Sequence, residues 1–243
     1  IYIEKITIHS YIKYMTFLQT FTQAYLIMLI IALVISSAGF IKYVYFISLG
    51  YGFSVAALGI ANLIIFRNVL TLPTTILSAL LIVYGCRLGF FLLVREIKSS
   101  AYRATMKKEI KDGTKVSFFA KICIWIPCAL LYVFQVSPVF FRLQNAKVVF
   151  DLLHVMPDVE NPSVNFFSSD TCSITGIIIL VYGIAIESIA DLQKSAAKKK
   201  NPKRFCDSGL YKIVRCPNYF GEILIWTGVF VSGCSALSGV WQW

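Results

Sequence analysis

No acidic residue occurs between Glu4 and Glu96, and between Lys13 and Arg87 the only charges are Lys42 and Arg67. A water-soluble fold needs a polar face on its surface elements, and this stretch has none. Charged residues make up 14% of the 243 positions, against about 25% in an average soluble domain. The seven cysteines (86, 123, 128, 172, 206, 216 and 234) include no Cys-x-x-Cys pair. Their odd, dispersed set does not make a disulfide framework. With only His9 and His154 beside them, no zinc-type cluster has recognisable spacing, so no metal is expected. Phosphate-cradling glycine loops are missing too. Gly50 and Gly52 are followed by Val55 where a dinucleotide loop needs a third glycine, and no P-loop occurs. Any nucleotide must be held in another way.

What the chain has instead is apolar length. Hydrophobic residues are 58% of the total, and mean hydropathy is +0.73. A bilayer core of about 30 Å needs about 20 helical residues. Helices are the default because backbone polar groups in lipid must be satisfied within the segment. Six runs qualify: Phe21–Phe40, Tyr43–Phe66, Leu70–Val94, Phe118–Phe141, Ser173–Ala190 and Gly221–Trp241. The expectation is an all-α, polytopic transmembrane bundle of about six spans, a single membrane-embedded domain over 1–243. The first run is too long for a signal peptide and has no charged segment close before it. Because the chain begins at Ile1 and stops at Trp243, both ends read as truncated.

The net charge of +11 is unevenly placed. Arg95–Val116 carries seven basic and three acidic residues, Asp191–Pro217 eight and two, and Arg142–Ser173 two and four. The positive-inside bias puts the first two segments on the cytoplasmic side and the third on the other. Both basic stripes flank spans, so topology accounts for them and no nucleic-acid partner is expected. The expected partners are the bilayer and a lipidic or sterol-like small molecule. Gly50, Gly52 and Gly59 suit close helix approach in the second span, and Pro73, Pro127 and Pro138 fall within or beside spans.

The chemistry concentrates between Glu187 and Glu222. Glu187, Asp191, Lys194 and Lys198 are spaced four, three and four apart and share a helical face. An ionisable residue one turn inside a span is costly, and its default reading is functional. The plainer alternative is that Glu187 pairs with Arg87 or Arg215 for helix packing and the lysines anchor the interface. Against it stands the company: Lys198, Lys199, Lys200, Lys203 and Arg204 form a cationic run suited to phosphates. Asp191 is placed to accept from a ribose hydroxyl. Downstream, Pro217 biases Cys216 to an extended conformation. Asn218, Tyr219, Gly221 and Glu222 then enter the last span, with Asn218 and Glu222 one turn apart.

Glu187-x-x-x-Asp191-x-Gln193-Lys194, then Gly209-Leu210-Tyr211, then Arg215-x-Pro217-Asn218-Tyr219-Phe220-Gly221-Glu222 resembles the C-terminal signature of the steroid 5-alpha-reductase superfamily. The nearest likeness is to its membrane branch, the DUF1295 family. The resemblance covers roughly residues 176–233, with a weaker echo at Tyr84–Arg95. It implies a helix bundle enclosing NADPH, entered from the cytoplasm (for a eukaryotic chain, from that face of the endoplasmic reticulum). It also implies reduction of a carbon–carbon double bond conjugated to a carbonyl. Carried onto this chain, it gives Asp191, Lys194, Arg204, Arg215 and Asn218 as cofactor contacts, with Tyr219 and Glu222 lining the nicotinamide end. Glu187, Arg87 and Lys198 join the cofactor set as charged neighbours. Tyr84, one turn from Arg87, resembles the tyrosine that polarises the substrate carbonyl. Two positions depart from the pattern. Cys216 stands where the family has histidine, and the first two spans lack the carboxylate that holds a steroid ketone. Two other functions remain open: an S-adenosylmethionine-dependent methyltransferase similar to the isoprenylcysteine carboxyl methyltransferases, and a non-catalytic lipid-binding bundle.

Overall fold

The computed structural model describes residues 21–98, 116–155, 171–202 and 204–237. The described residues form helices and connecting turns, and six helices are long and apolar enough to cross a membrane. Their α-helical parts, which short 3-10 turns extend in the first, second and sixth spans, are α1 (21–36), α2 (Leu49–Ile65), α3 (Leu72–Lys98), α4 (Phe118–Val155), α5 (Thr171–Lys200) and α6 (Pro217–Gly233). The chain is a polytopic transmembrane helix bundle, as its hydropathy leads one to expect.

The helices outrun the spans at their polar ends. α3 continues past Val94 to Lys98 and α5 past Ala190 to Lys200, because charge ends an apolar run without ending the hydrogen-bond ladder. α6 starts four residues before Gly221, with Pro217 in its first turn, where no N–H is needed. The span expected from Tyr43 opens as a 3-10 turn, Tyr43–Phe46, before α2. α4 requires the largest correction. Its 38 residues reach Val155, so the segment read as an external loop from Arg142 begins as helix. Arg142 is buried, donating through Nε (3.0 Å) and Nη2 (2.6 Å) to the Ser232 carbonyl at the end of α6. Pro138 lies inside α4 and cannot donate to the Phe134 carbonyl. The Ser137 hydroxyl donates to that carbonyl instead, at 2.6 Å. The external loop expected around Asn161 and the cytoplasmic one around Gly113 lie outside the described residues.

Two tight helix pairs make up the frame. In the α2–α3 pair, a Cβ on Gly52 would stand 2.7 Å from the Gly89 nitrogen, and one on Gly59 2.9 Å from the Ser78 carbonyl oxygen. In the α5–α6 pair, a Cβ on Gly183 would stand 2.8 Å from the Gly221 carbonyl oxygen, and one on Gly228 2.6 Å from the Leu180 nitrogen. Membrane helices gain no hydrophobic drive from lipid, so close van der Waals packing of this kind, together with interhelical hydrogen bonds, holds them together. α4 lies against α2 and α6 and covers the joint between the pairs. Tyr132 on α4 donates to the Phe46 carbonyl, and Trp125 Nε1 donates to the Leu33 carbonyl at 3.0 Å.

Candidate functional site in the mouth of the bundle

The two helix pairs meet through polar side chains at the end where α3 and α5 finish and α2 and α6 begin. On α3, Arg87 donates through Nη1 to Glu187 Oε1 at 2.6 Å and through Nη2 to Asp191 Oδ2 at 2.5 Å. Glu187 and Asp191 are one turn apart on α5 and only 5% and 8% exposed. Their mutual repulsion is relieved by one guanidinium fork, the geometry that arginine offers and lysine does not. Gly221 sets the depth of this arrangement. A Cβ there would lie 2.7 Å from the Glu187 nitrogen, so a side chain would lever α6 off the acidic pair. Glu187 Oε2 is buried and has no hydrogen-bond partner among the described residues.

Beside the ion pairs lies a second network. The Tyr51 hydroxyl on α2 donates to Glu222 Oε1 at 2.9 Å. It receives Trp226 Nε1 at 2.8 Å and stands 3.2 Å from the Tyr84 hydroxyl. A phenol has one proton. With that proton on Glu222, Tyr84 must be the donor in the Tyr84–Tyr51 bond. Tyr84 is fully buried, so its phenol faces Tyr51.

The segment between α5 and α6 folds back over the mouth. Gly209 has φ +62°, a left-handed backbone that favours glycine, and a Cβ there would strike the Gln193 side chain at 2.5 Å. The Gln193 Oε1 accepts the Leu210 N–H at 2.9 Å. The Tyr211 hydroxyl then donates to Asn218 Oδ1 at 3.4 Å. Burial, followed by the nearby Asp191 charge, pushes the Tyr211 phenol up to about 12. It therefore stays protonated as a donor through the neutral range.

The signature elements, dispersed along the sequence, thus condense into one cluster. Glu187, Asp191 and Gln193 come from α5, Gly209 to Tyr211 from the fold-back, and Asn218, Gly221 and Glu222 from α6. Arg87 and Tyr84 join from α3. The expected cations stand around this cluster rather than in it. Lys194 and Arg215 are exposed. Lys198 Nζ donates to the Pro202 carbonyl at 3.0 Å, and Arg204 pairs with Asp207 at 2.5 Å. Tyr219 is 60% exposed and points outward along α6. There, with Glu222, Ile223, Trp226, Thr227 and Phe230, it lines a groove of about 560 Å³.

Sequence reading missed Tyr51 and Trp226. Both look like ordinary aromatic members of apolar runs, and the only available signal was the isolated Glu222, which needs a donor inside a membrane. Gln193 stands within the motif with no role legible from the sequence. Its role is to hold the fold-back.

A polar cluster closed by a basic fold-back thus lies at one end of a helix bundle with six candidate membrane spans among its described residues. The chain belongs to the DUF1295 family, whose model, described as "Protein of unknown function (DUF1295)", matches residues 40–243. No curated protein and no solved structure matches it.

Proposed function

We propose that the chain is a membrane-embedded, NADPH-dependent reductase of a carbon–carbon double bond in a lipidic enone or enoyl substrate. The observation that supports this most is the condensation of the reductase-like signature into one polar cluster that adjoins a groove on the outer face of α6. The residues present fit the cofactor. The orphaned Glu187 Oε2 is a buried acceptor suited to a ribose or carboxamide donor. The exposed Lys194, Lys198, Arg204 and Arg215 form a donor set suited to phosphates. Arg87 reaches a phosphate only by releasing one of its two carboxylates.

NADPH, when bound, supplies the hydride for the β-carbon of the conjugated bond. The protein's part is orientation and electrostatics. Tyr219 offers a phenol to an oxygen lying in the groove, and Glu222 is held beside it by Tyr51. Tyr84, which sequence likeness casts as the carbonyl donor, acts in this geometry through Tyr51 and is a positioning residue. Asn218 is fixed by Tyr211 at the cofactor side of the same helix turn.

Titration of the purified protein with NADPH, NADH and S-adenosylmethionine tests the reading, with nucleotide fluorescence as the readout. NADPH is expected to bind well ahead of the other two. Charge-assisted phosphate hydrogen bonds contribute about 1.5–3 kcal/mol, so Arg204→Ala should weaken NADPH roughly ten- to a hundredfold. Equal affinity for NADPH and NADH, or preference for S-adenosylmethionine, overturns the assignment.

A further inference from the structure

The groove on α6 has a directional lining. Tyr219, Glu222, Ile223, Trp226, Thr227 and Phe230 recur at helical spacing and form one stripe along the last helix, with Glu222 and Trp226 on its inner edge against Tyr51. Polar groups sit at one end. Tyr219 and Glu222 occupy the first two turns, at the basic mouth, and Phe230 lies near the far end toward the bilayer interior. The rest of the stripe faces outward: Tyr219, Ile223 and Phe230 are 60%, 63% and 42% exposed. In a membrane this surface meets acyl chains rather than water. Phe230 stands eleven positions beyond Tyr219, a rise of about 16 Å at 1.5 Å per residue. The volume of about 560 Å³ falls inside the range of small-molecule sites, roughly 300–1,000 Å³.

The hydrogen-bonding capacity of the polar end narrows the occupant. The Thr227 hydroxyl is committed to the Ile223 carbonyl at 2.8 Å, and Trp226 Nε1 to Tyr51. That leaves the Tyr219 phenol as the donor and the Glu222 carboxylate as the acceptor. Glu222 is held in place through Oε1 by Tyr51. One donor beside one anionic acceptor matches a hydroxyl, which gives a proton and takes one. A carboxylate head meets Glu222 as a like charge, costly in a medium of low dielectric. An ammonium head could use the Tyr219 oxygen only as an acceptor and would leave its hydroxyl hydrogen without a partner.

The geometry points to the α6 groove as a binding site for a lipid alcohol, entered sideways from the bilayer, with the hydroxyl between Tyr219 and Glu222 and the hydrocarbon along Trp226 to Phe230. The inference goes beyond the reductase reading and is independent of it: an alcohol has no carbonyl to conjugate with a double bond, so it is a ligand of the groove and not the enone or enoyl substrate. The binding itself does not depend on NADPH.

Trp226 lies in the groove and reports its occupancy. The full chain is placed in phosphatidylcholine nanodiscs with Trp125, Trp241 and Trp243 changed to Phe. It is then titrated with a dibrominated octadecyl alcohol and with the matching dibrominated octadecanoic acid in its ionised form. The expected result is saturable quenching by the alcohol at a concentration at least tenfold below that needed for the acid. Tyr219→Phe, an exposed change that leaves packing intact, should weaken the alcohol about threefold to tenfold. Glu222→Gln, checked for native helix content, should bring alcohol and acid within about threefold of each other. Equal quenching by the two lipids, unmoved by either substitution, overturns the site and leaves only bulk lipid contact. Retained discrimination with no NADPH binding upholds the site and sinks the reductase reading alone.

Discussion

Tyr51 donates a hydrogen bond from its hydroxyl to Glu222 Oε1 at 2.9 Å, across 171 residues of sequence, and so ties the first turn of α2 to the second turn of α6. Three polar groups meet at that hydroxyl, and removing it orphans all of them.

Tyr51→Phe is therefore expected to be the most damaging single-atom deletion in the mouth. It leaves Glu222 Oε1, Trp226 Nε1 and Tyr84 Oη without the bonds they make in the native protein. Each buried unsatisfied group costs about 1–3 kcal/mol. Thermal unfolding in detergent should show a clear drop in Tm for Tyr51→Phe and a much smaller one for Tyr84→Phe, which loses a single bond. Equal losses would mean that Tyr51 is not the hub.

Tyr84→Phe also separates positioning from catalysis. On the proposed reductase reading, the deletion should lower kcat by about tenfold, with KM for NADPH unchanged, because the phenol reaches Glu222 only through Tyr51. A direct donor to the reacting oxygen would lose about a hundredfold or more. Steady-state kinetics with the two parameters resolved distinguishes these outcomes, and an unchanged kcat removes Tyr84 from the mechanism.

Arg87 neutralises two carboxylates at once. Arg87→Ala should destabilise the protein by roughly 3–5 kcal/mol, the usual cost of leaving a buried charge without its partner. Arg87→Lys should recover only part of this, since one ammonium cannot reproduce the fork. The double substitution Glu187→Gln with Asp191→Asn in the Arg87→Ala background should restore most of the loss, because no buried charge is then left over. Denaturant titration followed by circular dichroism measures all three.

Gly221→Val tests the frame rather than the site. A Cβ there collides with the Glu187 backbone, which cannot move aside as a flexible side chain would. Overpacking costs typically 1–3 kcal/mol, and here it would also pull Glu187 away from Arg87. The expected outcome is lower stability together with weaker NADPH binding. Gly50→Val, in the other helix pair and against Ser36 and Tyr45 backbone, should lower stability without that loss of binding.

Topology is open to a direct check. In a cysteine-free background, single cysteines at Gly113 and Asn201 should label from the cytoplasmic side and one at Asn161 from the other. Labelling of all three from one side would break the six-span order.

Hydropathy and charge spacing determined the class of this protein, because lipid imposes its constraint locally: a run of apolar residues must be a helix whatever it later touches. The cluster of acids and bases between Glu187 and Glu222 was legible for the same reason, since charge inside a span is conspicuous. Which charges pair was not legible. Glu187 had Arg87 and Arg215 as equal candidates in sequence, and the rotation of α5 against α3 selected Arg87. Tertiary structure alone made Tyr51 the hub, placed Tyr84 behind it, and turned Tyr219 outward. Each of those outcomes depends on helix rotation. In this bundle, rotation is set by backbone-to-backbone contact at Gly52, Gly183, Gly221 and Gly228, residues whose sequence signal marks close approach without saying what approaches.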